Sequence, residues 1–190
     1  MALVLIRHPQ PEVANGICYG KTDLLLREPA MTSAQKISHK LLLLAQAPSH
    51  MACSPLQRCA ELGTALATLH LAAAFSFDTR LQELDFGNWE MQPWDSIGRD
   101  QMDAWIASGF DAHHGGESLQ ALDDRVASWL HDMKSTYAAH QTLWVITHAG
   151  VIRSILRQQN ICSFEDSLAW PIDYGHSTAI QQSTLLWSNQ

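Results

Sequence analysis

The stretch LVLIRHP at residues 3–9 sets a short apolar run against an arginine, a histidine and a proline. Consecutive apolar residues without polar alternation are typical of a strand that is buried on both faces. A second run, TLWVIT at residues 142–147, is the strongest strand pattern in the chain and leads directly into His148. The chain therefore contains two predicted buried strands that are each followed closely by a histidine.

Helix and strand patterns alternate outward from these two runs. The first half of the pattern predicts a loop over residues 9–31 and then a helix, which begins at a T-x-x-Q capping box (Thr32 and Gln35) and ends near Gln46. A strand at Met51–Cys53 follows. The next predicted helix is capped by Ser54, has Pro55 and Gln57 in its first turn, and ends near His70. The second half predicts an irregular segment at 81–116, a helix capped by Ser118, the strand at 142–147 with a helix behind it, and β structure over 174–187.

This alternation predicts an α/β protein in which helices cover both faces of a central sheet. We expect a three-layer α/β/α sandwich with a mostly parallel sheet, built as a single domain over residues 1–190. The helix behind Ser118 carries one apolar stripe at helical spacing, formed by Leu119, Leu122, Val126, Leu130, Met133 and Tyr137. In such sheets ligands bind beyond the carboxyl ends of the strands.

The composition excludes several classes of function. A net charge of −7 provides neither a nucleic-acid footprint nor a polybasic membrane patch. No apolar run is long enough for a membrane span, and the start MALVLIRH lacks the basic segment of a signal peptide, so we expect a cytoplasmic protein. The four cysteines form no CxxC pair, and His113–His114 lack the spacing of metal ligands, so we expect neither a metal nor a cofactor. The seven tryptophans are expected in the core and in a pocket wall.

Three predicted strand ends deliver basic side chains to one rim of the sheet. Arg7 and His8 follow the first strand, Arg58 lies in the first turns of the helix after the second, and His148 follows the strand at 142–147. Glu83 lies in a loop that could reach the same rim. Arginine forks bind phosphate oxygens, a neutral histidine can attack phosphorus, and a carboxyl can protonate a leaving oxygen. A helix start near the rim would add backbone donors to an anion.

These residues resemble the signature of the histidine phosphatase superfamily, which includes the cofactor-dependent phosphoglycerate mutases. The resemblance continues in family order through CYGKTDLLL, CSPLQRCAELGTAL, LQELDFGNWE, GGES and VITHAGVIR, and so covers most of the chain. It implies a phosphoglycerate mutase-like fold and a phosphohistidine mechanism without a metal. His8 would be the nucleophile, Arg7, Arg58 and His148 would hold the phosphoryl group, and Glu83 would be the proton donor.

The resemblance also implies further substrate contacts, from Tyr19, Gly20, Lys21, Asn15 and Ala149. Two positions depart from the family pattern. Pro9 stands where the family usually has glycine after the nucleophilic histidine, so a backbone N–H is missing there. Ala14 stands where the family often has asparagine, and Asn15 is one position further on.

The sequence leaves three functions open. The first is a phosphomonoesterase on a small phosphorylated metabolite, and the segments YGKTDL and ELDFGNWE look most like the α-ribazole phosphatases of cobalamin synthesis. The second is a phosphoglycerate mutase, but residues 84–124 contain one Lys or Arg, Arg99, against nine Asp and Glu residues, and this acidic segment repels a substrate with several negative charges. The third is a phosphoprotein phosphatase or binding module. A homodimer also stays open.

Overall fold

The computed structural model describes residues 1–44 and 47–190. Its strands are β1 (Ala2–Arg7), β2 (His50–Cys53), β3 (Ala74–Phe77), β4 (Thr142–Thr147), β5 (Ser177–Gln181) and β6 (Thr184–Trp187). Its helices are α1 (Ala30–Leu44), α2 (Gln57–Leu69), α3 (Arg99–Ala107), α4 (Leu119–Thr136), α5 (Ala149–Gln158) and α6 (Phe164–Ala169), with short 3₁₀ turns at Thr79–Leu81, Gly87–Trp89 and Trp94–Ser96.

In the described residues one mixed sheet has the strand order β3-β2-β4-β1-β5-β6. The pairs β3–β2, β2–β4 and β4–β1 are parallel, whereas β5 runs antiparallel to both β1 and β6. The α/β sandwich with a mostly parallel sheet is therefore confirmed. The predicted β structure of the tail is the β5–β6 hairpin, which adds the antiparallel half of the sheet.

Alternate side chains of β1 enter two different cores, which explains its uninterrupted apolar run. Leu3 and Leu5 pack in one core with α4 and α5, and Val4 and Ile6 pack in the other with α1 and α2. Strand β4 is buried along its whole length. The apolar stripe of α4 faces the first core as expected, and Trp129 of the same helix is fully buried there.

The helix starts show where the capping predictions were right and wrong. Ser118 caps α4 as predicted, since its Oγ accepts from the Ala121 amide at 3.1 Å. The capping box at Thr32 is wrong, because α1 begins at Ala30 and Thr32 lies inside the helix. The predicted end of this helix near Gln46 lies outside the described residues.

The start of α2 also differs from the prediction. Ser54 and Pro55 precede the helix, which begins at Gln57, and the Gln57 amide donates to the Asp23 carboxylate at 2.6 Å. A side chain from the loop 9–31, distant in sequence, thus occupies the place that the pattern assigned to a local cap. The elements β3, α3 and α6 were not predicted.

Candidate active site

The carboxyl ends of β1, β2 and β4 meet at one edge of the sheet, and polar side chains follow each of them. Arg7 is in register with Thr147 at the ends of β1 and β4, so His8 and His148 are neighbours. Their ring centroids are 5.1 Å apart. Ser54, directly after β2, places its Oγ 2.8 Å from His148 Nε2. The strand register alone therefore brings His8, His148 and Ser54 together.

The ring of His8 is almost fully buried, and its contacts fix which nitrogen carries the proton. His8 Nδ1 lies 2.7 Å from the Pro9 carbonyl oxygen. A carbonyl oxygen can only accept, so Nδ1 carries the hydrogen and Nε2 keeps a lone pair. Arg58 Nε donates to that Nε2 at 3.2 Å. Pro9 lacks the N–H of the family's usual glycine but supplies a carbonyl that orients the ring.

Both histidines of the site are held in the neutral state. Burial is the largest cause that lowers the pKa of His8, and the charges of Arg58 and Arg7 lower it further against the opposing hydrogen bond to Pro9. Burial, Arg58 and the neighbouring His8 likewise lower the pKa of His148 well below its ordinary value. A neutral imidazole with an unprotonated Nε2 is a nucleophile, whereas an imidazolium is not.

Arg58 is fully buried in the first turn of α2, and backbone carbonyls hold its guanidinium in place. Its Nη1 donates to the Thr22 carbonyl at 2.8 Å and its Nη2 to the Gly20 carbonyl at 2.5 Å. With Nε on His8, three of the donor groups of this side chain have partners that orient the fork at the ring.

Arg7 is held from the opposite side by the loop that leads into β5. Its Nη1 donates to the Ile172 carbonyl at 2.6 Å, and its guanidinium carbon lies 3.7 Å from the centroid of the Tyr174 ring. Tyr174 shares a hydrogen bond between hydroxyls with Tyr19. Within the described residues, the buried Arg7 Nε has no hydrogen-bond partner.

The carboxylate of Glu83 is anchored at the start of α5. Its Oε2 accepts from the Gly150 amide at 3.1 Å, and its Oε1 accepts from the Leu84 amide at 3.0 Å. A Cβ on Gly150 would lie 2.3 Å from Oε1, so position 150 must be glycine for the carboxylate to fit. The loop therefore reaches the rim, as the sequence analysis expected.

A cavity of about 300 Å³ opens over this cluster. Arg7, His8 and Glu83 are the charged or titratable groups on its wall apart from the tyrosine hydroxyls, and Arg58 and His148 lie behind them. The remaining lining residues are neutral: Gln10, Val13, Ala14, Asn15, Gly16, Ile17, Tyr19, Trp94 and Tyr174.

The further candidates from the resemblance have different surroundings. Asn15 and Tyr19 line the cavity. Gly20 does not, and directs its carbonyl to Arg58. Lys21 lies in a separate cavity, where its Nζ is 3.5 Å from the Asp85 carboxylate. The side chain of Ala149 packs against the core beneath α5.

Three participants were missed by the sequence analysis or given another role. Tyr174 lies before the antiparallel strand β5, and only the pairing of β5 with β1 brings it to the rim. Ser54 contacts His148 and also accepts from the Leu56 amide just before α2. Cys59, whose Sγ lies 3.4 Å from His148 Nε2, is fully buried, and burial raises the pKa of its thiol. At the start of α2, the amides of Gln57 and Leu56 donate to Asp23 and Ser54, so these two amides are not free for an anion.

Two features of the described residues, 1–44 and 47–190, bear on metal binding and on membrane association. No group of three or more His, Cys, Asp or Glu side chains is placed to hold a metal ion in this part of the chain. His114 packs among the rings of Phe86, Trp89 and Trp105. None of the helices in residues 1–44 and 47–190 has the length and apolarity that crossing a membrane requires.

The fold is similar to that of two phosphatases of known structure. The α-ribazole phosphatase from Shigella flexneri is 24% identical, with a TM-score of 0.79 over 100% of this chain and 95% of that one. A mycobacterial glucosyl-3-phosphoglycerate phosphatase in complex with VO3 is 21% identical, with a TM-score of 0.81 over 100% and 99% of the two chains.

The family is shown by the sequence itself. The family model of the histidine phosphatase superfamily (branch 1) matches residues 3–187, and the chain belongs to this superfamily. A protein of Hydrogenobacter thermophilus with the name of a phosphoserine phosphatase is 25% identical over 199 residues, covering 99% of this chain and 95% of that one. The glucosyl-3-phosphoglycerate phosphatase of Mycolicibacterium vanbaalenii is 28% identical over 171 residues, covering 80% and 71%. The resemblance, the fold and the phosphatase class of enzyme are confirmed.

The lowered pKa values of the two buried histidines predict how stability depends on pH. In the unfolded chain these rings bind protons near pH 6.5, whereas the folded protein resists protonation until the pH is lower. The unfolded state then binds more protons, so stability is lost as the pH falls below about 6.5, by about 1.4 kcal/mol per pH unit for each proton. Urea unfolding at several pH values gives the unfolding free energy as a function of pH. The slope of this free energy against pH should be smaller in His8→Gln and in His148→Gln than in the wild type, and smallest in the double variant. Unchanged slopes would contradict this reading of the site.

Proposed function

We propose that this enzyme hydrolyses small phosphate monoesters through a covalent phosphohistidine on His8, without a metal. The observation that carries the proposal is the arrangement around His8 Nε2. The Pro9 carbonyl holds the hydrogen on Nδ1, and the unprotonated Nε2 accepts from Arg58 Nε, at a cavity that also presents Arg7 and Glu83. A neutral nucleophile between two fixed cations is suited to attack on a phosphoryl dianion.

The reaction then needs two balanced steps. The Nε2 lone pair of His8 forms the N–P bond while the ester P–O bond breaks, and Glu83 in its acid form gives its proton to the leaving oxygen. The Glu83 carboxylate next takes a proton from water, whose oxygen attacks phosphorus and breaks the N–P bond. Arg7 and Arg58 balance the charge on the phosphoryl oxygens throughout. The bound dianion opposes the lowering of the pKa of His148, so this ring becomes a hydrogen-bond donor to the phosphoryl group.

The wall of the cavity favours one kind of leaving group. Beyond Arg7, His8 and Glu83 it is neutral and partly aromatic, with Trp94, Tyr19 and Tyr174. Beyond the Arg7 guanidinium, this wall carries no cationic side chain that could pair with a carboxylate on the leaving group. We therefore propose a substrate whose leaving group is an uncharged ring system, of which α-ribazole 5′-phosphate is the first candidate, in preference to phosphoserine or a phosphoglycerate. With this substrate, the proposed role of the enzyme is in cobalamin synthesis.

The covalent intermediate can be trapped directly. Rapid quench of the wild type with ³²P-labelled substrate should give a phosphoprotein that is labile in acid and stable in alkali, and His8→Ala should abolish both labelling and turnover. A chelator should leave both unchanged, and vanadate should inhibit because it mimics five-coordinate phosphorus. Labelling that survives His8→Ala, or activity that needs an added divalent ion, would contradict the proposal.

Replacing Glu83 tests the proton donor. Glu83→Gln should lower kcat/KM for phenyl phosphate by 10²–10⁴-fold (an order-of-magnitude range, roughly that of general acid catalysis) and lower it much less for p-nitrophenyl phosphate. The reason is that a nitrophenolate leaves without a proton, whereas a poorer leaving group does not. If both substrates lose activity equally, Glu83 has a structural role only.

A substrate panel separates the competing functions. We expect kcat/KM for α-ribazole 5′-phosphate to exceed that for O-phosphoserine and for 3-phosphoglycerate by at least about tenfold, which is about 1.4 kcal/mol of transition-state stabilisation. Trp94→Ala should reduce the value for the ribazole ester more than the value for phosphoserine. Faster turnover of phosphoserine than of the ribazole ester would contradict the inference that the neutral cavity wall favours an uncharged leaving group. Conversion of 3-phosphoglycerate to 2-phosphoglycerate without release of phosphate would favour the mutase.

A further inference from the structure

The carboxylate of Glu90 accepts an unusual number of hydrogen bonds from the loop that contacts Arg58. Its Oε2 accepts from the amides of Gly20 and Thr22, each at 3.0 Å, and from the Thr22 hydroxyl. Its Oε1 accepts from the Lys21 amide and from the Phe86 amide, each at 2.9 Å. Three consecutive amides of residues 20–22 thus surround one carboxylate, in the manner of a backbone anion nest.

The opposite side of the same three residues holds Arg58. The carbonyls of Gly20 and Thr22 accept from the Arg58 guanidinium, while their amides donate to Glu90. The Gly20 carbonyl, which accepts from Arg58, and the Lys21 amide, which donates to Glu90, belong to the same peptide group. The negative charge of Glu90 at that amide polarises the group and strengthens its carbonyl as an acceptor. A continuous path therefore runs from the Glu90 carboxylate through the backbone to the guanidinium, and from Arg58 Nε to His8.

The packing of Gly20 shows how closely the two loops fit. A Cβ on Gly20 would lie 1.8 Å from the Leu84 carbonyl oxygen and 2.9 Å from Glu90 Oε1. Only glycine can occupy this position without moving the backbone of one loop away from the other. The segment 20–22 is thus fixed against the segment that carries Glu83, and its carbonyls have little freedom to follow Arg58.

The charge state of Glu90 fits this arrangement. Burial by itself would raise the pKa of the carboxyl, but the hydrogen bonds from Gly20, Thr22 and Phe86 outweigh burial and leave the pKa below its ordinary value. The carboxylate is therefore negatively charged at neutral pH, as acceptance from five donors requires.

From this geometry we propose that Glu90 is a positioning residue, which fixes the Arg58 guanidinium through the backbone of residues 20–22. The inference rests on the proposed function, because it assigns to Arg58 a task in phosphoryl binding. The hydrogen bonds of Glu90 go to residues 20–22 and to Phe86, and Glu90 does not line the cavity. Its effect on catalysis is expected to pass through Arg58 alone.

A double-mutant cycle on kcat/KM for p-nitrophenyl phosphate tests this path. Glu90→Gln should lower kcat/KM about tenfold, which is the loss expected for one hydrogen-bonded charge, and less than about twofold when Arg58 is already alanine. An equal loss in both backgrounds, or no loss in the first, would overturn the proposal. A wild-type protein without phosphatase activity would instead contradict the proposed function, so the two failures are distinguishable.

A matched control separates positioning from general stability. Asp123, on α4, forms a salt bridge with Arg157 and accepts from the Ser154 hydroxyl, and both of these partners are on α5. Asp123→Asn should lower the thermal unfolding midpoint with kcat/KM unchanged. Thr22→Val removes one of the five donors to Glu90 and should lower kcat/KM about two- to threefold. This variant keeps Glu90 itself and removes only one of its hydrogen bonds. An unchanged kcat/KM in Thr22→Val would also count against the proposal.

Discussion

The register between β1 and β4 is the constraint on which the site depends. Because Arg7 pairs with Thr147, the residues that follow these strands, His8 and His148, leave the sheet side by side. A slip of one residue would turn the alternating side chains of β1 toward the opposite cores, and burial on both faces prevents it. The two cores that stabilise the sheet therefore also set the distance between the two rings.

Burial has a second consequence at this edge of the sheet. It removes water from His8, and the arginines beside the ring add positive charge, so the site selects a neutral imidazole before any substrate arrives. The Pro9 carbonyl then decides which nitrogen is free. The same two cations that disfavour a proton on His8 favour a phosphoryl dianion next to it, and one arrangement serves both needs.

The sequence predicted the parts of this site that follow buried parallel strands. Arg7, His8, Arg58 and His148 could be placed at one rim because strands of this kind end at a common edge. Among the partners from loops, Glu83 was expected at the rim, but Asp23 and Tyr174 could not be placed, because their positions depend on contacts between segments distant in sequence. Asp23 caps α2 from such a loop, and Tyr174 reaches Arg7 only because β5 runs antiparallel to β1.

The tautomer of His8 tests most directly whether the ring is neutral and whether the Pro9 carbonyl keeps its proton on Nδ1. In protein labelled with ¹⁵N-histidine, two-bond ¹H–¹⁵N correlation spectra at about pH 6, near the ordinary pKa of histidine, report the protonation of each ring nitrogen. The His8 signals can be assigned by their loss in His8→Gln. The account predicts a protonated Nδ1 and an unprotonated Nε2. An imidazolium, or a proton on Nε2, would contradict it.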